Sequence, residues 1–156
     1  MRFYVADNTG YINEMLSFVF EDMGNYNWIF TDMVPHVFKN GIEVTDTIFE
    51  REKFYILGKE LYSFLKEYEV LLIFGVVIAV EQTDRNVLKN IPDYPVIQDN
   101  EQYWKEDYHL TIPGSVMEIG FFDTACLIFA SESEYNIKKF QKQFPTAILY
   151  SEYLEL

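Results

Sequence analysis

A chain of 156 residues carries 25 acidic against 12 basic side chains, a formal net charge of −13, together with 14 Phe, 12 Tyr and 2 Trp. That many rings exclude a disordered acidic tail, and a field of that sign disfavours nucleic acid and anionic lipid as partners while favouring a basic protein surface. The length suits one domain over residues 1–156 that folds without disulfide staples.

Phe3 to Ala6 reads as a first strand, followed by a helix that Asn8 or Thr9 would cap and whose apolar face is Ile12, Met15, Leu16, Val19 and Phe20. Gly24 and Asn25 end it, and Tyr26 to Thr31 forms a second strand, giving a β-α-β opening with parallel strands. Pro35 argues against a central strand just beyond. Asn40-Gly41 signals a hairpin between Met33–Phe38 and Ile42–Val44, because both residues tolerate positive φ. Phe54 to Leu57 is strand-like, and Leu61, Phe64, Leu65 and Tyr68 place an amphipathic helix over Lys59 to Tyr68.

The apolar, β-branched run Val70–Val80 is too short to cross a membrane, which takes about 20 helical residues, and reads as the centre of a sheet, with Gly75 marking a bulge. From Glu81 to Gly114 the periodicity fades around Pro92, Pro95 and Pro113, as in a long surface excursion. The pattern returns as Met117 to Phe122, an Asp123-Thr124 step and Ala125 to Ala130, which is either a hairpin or one bent strand. Ser131 and Glu134 form a capping box for a helix with Ile137, Phe140 and Phe144 on its apolar stripe; Pro145 stops it before a last strand, Ala147 to Tyr150. The sum is an α+β domain with a mixed sheet of about five to seven strands and about three helices packed on it.

Chemistry is sparse. Cys126, the lone cysteine, lies in an apolar strand, and His36 between Pro35 and Val37 reads as a structural histidine. His109 follows Glu106 and Asp107, so a metal-dependent hydrolase or another enzyme using these groups is one alternative, although no spacing such as H-E-x-x-H accompanies them. No glycine-rich phosphate loop is present, and Lys138, Lys139 and Lys142 match the carboxyl end of their own helix. The expectation is therefore no catalytic residue, no cofactor and no metal.

One segment stands out. Asp99, Glu101, Glu106 and Asp107 are interleaved with Tyr103, Trp104 and Tyr108, and Lys105 is the single basic residue between Asp93 and Asp123. Rings among carboxylates are what contact with a basic partner requires, the rings supplying contact energy and the charges steering; the competing reading is that the rings close over the core. Carboxylates on one face also allow a DNA-mimic inhibitor of a nucleic-acid-binding protein. A weaker second patch is Glu14, Glu21, Asp22 and Asp32, where Arg2 is the only basic residue before Lys39.

The run Met117-Glu118-Ile119-Gly120-Phe121-Phe122-Asp123-Thr124-Ala125-Cys126-Leu127-Ile128-Phe129 resembles a pattern of small acidic bacterial proteins, in which a strand bearing Phe-Asp-Ser/Thr leads to a helix and a last strand. Immunity proteins of interbacterial toxin systems are among them. The opening with Tyr26-Asn27-Trp28 is similar to the start of a family of small proteins from spore-forming bacteria. What the resemblance implies is a small cytoplasmic binding protein whose partner is a basic toxin domain. The amino terminus, without the basic start and apolar centre of a signal peptide, agrees with that compartment.

Overall fold

The strands carry apolar side chains on both faces, so each face needs its own cover. The computed structural model describes residues 1–82, 94–110 and 112–156. Its sheet comprises β1 (Arg2–Val5), β2 (Tyr26–Lys39), β3 (Ile42–Val44), β4 (Phe54–Leu57), β5 (Glu69–Glu81), β6 (Ser115–Phe122), β7 (Cys126–Ser131) and β8 (Ile148–Leu149). The spatial order is β3-β2-β5-β6-β7-β1-β8, with β4 also paired to β2. The result is a single α+β domain with β5 in the interior of the sheet, as its apolar run predicts.

Among the described residues the sheet is antiparallel throughout rather than mixed, and its eight strands slightly exceed the expected range. Tight turns decide the direction, since the two-residue connection at Asn40-Gly41 and the three-residue connection Asp123–Ala125 of the β6–β7 hairpin can only join antiparallel neighbours. Asn40 and Gly41 both take positive φ (53° and 78°), and the less accommodating pair Asp123 and Thr124 does the same (49° and 51°). The β-α-β opening is corrected accordingly: β1 lies between β7 and β8, far along the sheet from β2.

Strand β2 runs through Pro35, against the sequence expectation. Its outer edge pairs with β4 at Asn27–Phe30 and with β3 at Val37–Lys39, so the stretch between has no strand on that side and tolerates a missing N–H. Its inner edge bulges there, with Thr31 opposite Val76 and Val34 opposite Phe74, so that Asp32 and Met33 face Gly75. The bulge foreseen at Gly75 therefore belongs to the strand beside it.

One face of the sheet packs Phe3, Trp28, Phe30, Phe121 and Phe129 under α1 (Ile12–Met15), a 3₁₀ run over Ser17–Asn25, α2 (Gly58–Glu67) and α3 (Glu134–Gln143). Phe129 and Phe140 stack with centroids 4.0 Å apart, and Phe18 meets both edge-on. The single helix expected over this amino-terminal region is one α turn and then 3₁₀, because Asn8 and Thr9 spend their oxygens on the amides of Gly10 and Tyr11 and leave Tyr11 at the cap. Likewise Ser133, rather than Ser131, caps α3, accepting from the Asn136 amide at 3.3 Å; Ser131 accepts from the Ser133 amide and donates to the Val116 carbonyl.

The opposite face presents Tyr4, Ile29, Val76, Ile78, Val80 and Ile128, covered by residues 94–110, Ile112 and α4 (Tyr150–Leu154). The predicted surface excursion is thus, where described, a second layer; residues 83–93 and 111 lie outside the described residues. Among the described residues no helix is long and apolar enough to cross a membrane.

Candidate functional site

The covering segment is pinned at its start by Asp32. At the β2 bulge Asp32 takes φ 50° and turns its carboxylate to the amides of Ile97 (2.8 Å) and Gln98 (2.7 Å), while the Thr31 hydroxyl donates to the Pro95 carbonyl at 2.7 Å. A residue of the weaker acidic patch therefore has structural work. Asn100 then caps a 3₁₀ turn over Glu101–Trp104, accepting from the Gln102 amide, and that turn drives Tyr103 down onto the sheet.

Tyr103 lands on Gly120, where any Cβ would collide with its hydroxyl and with Ile97. It is only 1 % exposed. Arg2 clamps the far side of the turn, donating from its two terminal guanidinium nitrogens to the carbonyls of Lys105 (2.9 Å) and Tyr103 (2.7 Å). Its guanidinium carbon lies 4.3 Å from the ring centroid of Tyr150, 4.7 Å from Tyr108 and 5.3 Å from Tyr103, a cation held by three aromatic rings. The Tyr150 hydroxyl donates to the Trp104 carbonyl at 2.6 Å. So the carboxyl-terminal helix and the amino-terminal strand together hold the segment.

Glu118 sits beneath. Its position in β6 points it to the covered face, where it is 1 % exposed, accepts a 2.7 Å hydrogen bond from the Tyr108 hydroxyl through Oε1 and, among the described residues, has no partner for Oε2. Burial raises its pKa to about 7, against the opposing pull of the Tyr108 bond and the Arg2 charge. Burial first, and then the Glu118 charge, push the Tyr103 and Tyr108 hydroxyls up. Both remain protonated, and Tyr108 remains a donor.

The sequence-predicted site residues thus divide. Tyr103 is core and Tyr108 is committed to Glu118, whereas Trp104 is half-buried, with its ring edge-on to Phe122 at 4.9 Å. Asp99, Glu101, Glu106 and Asp107 are all exposed, and among the described residues none of them has a hydrogen-bond or ion-pair partner. Two cavities of about 550 Å³ flank the turn. One is walled by Phe74, Ile97, Trp104 and Phe122 with Asp99 and Glu101 beside them; the other is lined by Arg2, Glu106, Tyr108, His109, Leu149 and Tyr150 among others. Arg2, Glu118 and Gly120 were not among the residues that sequence alone singled out for this site.

The structure also places the catalytic candidates. His36 Nδ1 lies 2.7 Å from Glu43 Oε1 across the β2–β3 hairpin. Burial raises the Cys126 thiol to about 11, away from nucleophilic use. Lys139 bonds Asp22 at 2.6 Å, tying α3 to the 3₁₀ run. Among the described residues no three His, Cys, Asp or Glu side chains converge to hold a metal ion, so Glu106, Asp107 and His109, adjacent in sequence, do not form a ligand set. No family model matches the chain, and neither a curated protein nor a solved structure matches it, so the site is read from its geometry.

Proposed function

We propose that this protein is a non-enzymatic acidic binding protein that neutralises a basic protein partner, in the manner of an immunity protein covering the active-site cleft of a bacterial toxin domain. One observation carries the reading: four exposed carboxylates, Asp99, Glu101, Glu106 and Asp107, lie unpaired on one covering segment around a half-buried Trp104. Unpaired charge on an ordered scaffold steers association, and a ring in a groove supplies contact energy without chemistry. The scaffold is rigid at the right place, since Arg2, Tyr103 and Tyr150 fix the backbone between the charges.

Affinity capture from the source cells or a close competitor, followed by activity assay of the retained protein, tests this. Wild type is expected to retain one basic protein and to quench its activity at equal stoichiometry. Trp104→Ala, and separately the combined change of Asp99, Glu101, Glu106 and Asp107 to their amides, should each weaken that complex at least tenfold, about 1.4 kcal/mol. Equal retention by wild type and both variants, or no retention by any, would sink the reading.

A second reading, an enzyme, rests on the cavity that brings His109 together with Arg2, Glu106 and Tyr108. It requires a turnover in wild type against ester or phosphodiester substrates, with a pH dependence that disappears in His109→Ala. Activity unchanged in that variant would discard it.

A further inference from the structure

The surface of this protein repeats a small pattern, a cation held between a carboxylate and an aromatic face. Lys39 Nζ lies 2.7 Å from Glu67 and 5.3 Å from the centre of the Tyr68 ring; Lys139 Nζ lies 2.6 Å from Asp22 and 4.8 Å from that of Tyr135. The groove beside the Glu101–Trp104 turn has the same components on a larger scale. Phe74 meets Phe122 at 5.2 Å and 80°, Trp104 meets Phe122 at 4.9 Å and 80°, and Asp99 and Glu101 border them. No lysine or arginine of the described residues lines it.

We propose that this groove seats an arginine side chain of the basic protein partner, the guanidinium lying against Trp104 and Phe122 with Asp99 and Glu101 as its counter-charges. The inference rests on the binding reading above and names the chemistry that reading leaves open. Ring walls at right angles offer a face and an edge, a cation is drawn to the face, and a cavity of about 550 Å³ accommodates one long side chain. Arginine fits better than lysine because its planar guanidinium stacks on a ring while still donating in plane to a carboxylate, and because it gives up its water more readily than an ammonium. The two carboxylates are exposed and, among the described residues, have no hydrogen-bond or ion-pair partner, so their oxygens are open to an incoming cation.

The test uses the whole chain and a defined probe, the tripeptide Gly-Arg-Gly, with Gly-citrulline-Gly and Gly-Lys-Gly as comparisons, followed by nuclear magnetic resonance at the two tryptophan indole N–H groups. Trp28 is the internal reference, being fully buried with its indole donating to the Met23 carbonyl at 3.1 Å. The arginine peptide should shift Trp104 and leave Trp28 in place, the citrulline peptide should shift neither, and Asp99→Asn with Glu101→Gln should weaken the arginine response at least tenfold. A response to lysine equal to that for arginine overturns the guanidinium assignment. No shift at Trp104 overturns the groove altogether, while capture of a basic protein by wild type would leave the wider binding reading intact. If the peptide binds at Trp104 yet no protein is captured, the groove stands and the neutraliser reading fails.

Discussion

Between pH 4 and pH 8 the stability gap between Glu118→Gln and wild type is expected to swing by about 3 kcal/mol in favour of the variant. Glu118 has its pKa raised from 4.5 to about 7 in the folded chain, chiefly because burial disfavours the carboxylate. A raised carboxylate favours folding only while it is neutral. Below pH 4.5 the group is protonated in both folded and unfolded chains and adds no pH dependence. As pH rises from 4.5 towards 7 the unfolded chain ionises first, and the wild type loses stability until the full shift, at about 1.4 kcal/mol per unit, has been lost above pH 7. Glutamine cannot ionise, so the variant lacks this slope, while its side-chain oxygen can still accept the Tyr108 hydroxyl. Urea denaturation of both proteins across this range reads the difference directly. A gap independent of pH would show that Glu118 does not carry the burial cost assigned to it.

That cost has a location. The groups facing Glu118 are Tyr108, which donates to it, Arg2, whose charge favours its ionised form, and Tyr103, whose hydroxyl feels its charge. All three hold the covering segment, so the layer bearing Trp104 and the four exposed carboxylates is the part of the fold expected to loosen as Glu118 ionises. Loss of this local stability at rising pH is the expected link between the buried carboxylate and the proposed binding surface.

Much of this arrangement is legible in the sequence wherever one periodicity governs. The run Val70–Val80 announces an interior strand because both of its faces are covered, and Asn40-Gly41 announces its hairpin because positive φ is costly elsewhere. The segment α2 shows itself through a helical stripe that nothing interrupts. The amino-terminal helix misleads: the spacing of Ile12, Met15, Leu16 and Val19 is met almost as well by an α turn followed by 3₁₀, and only packing against α2 and α3 decides. The covering layer is obscured for another reason. Residues 94–110 have no repeating period, and their burial is set by long-range partners, Gly120 beneath Tyr103 and Arg2 a hundred residues away in sequence. One signal does exist within β6, where Glu118 and Gly120 alternate with Met117, Ile119 and Phe121. An acid and a glycine on one face of an apolar strand mark a face that receives something other than a plain aliphatic core.

Gly120→Ala isolates that contact. The backbone at Gly120 is not in the left-handed region, so alanine there is free of main-chain strain and its effect is steric. The added methyl meets the hydroxyl end of Tyr103 and the Ile97 side chain, and a tyrosine ring wedged between Arg2 and the sheet has little room to swing away. Overpacking of this kind costs about 3 kcal/mol. The expected damage is confined to the second layer, because the helix-covered face has its own core of Phe3, Trp28, Phe129 and Phe140. Unfolding by urea should therefore show the loss of stability, with Trp104 more exposed in the native state and Trp28 unchanged. The proposed complex with a basic partner should weaken at least tenfold although no acidic or tryptophan side chain has been altered. Adding Tyr103→Phe removes the atom in closest conflict and should recover part of the loss, a coupling that a double-mutant cycle resolves. If Gly120→Ala keeps wild-type stability and the same Trp104 environment, Tyr103 is not the wedge that orders this surface, and the link between the buried cluster and the acidic face is broken.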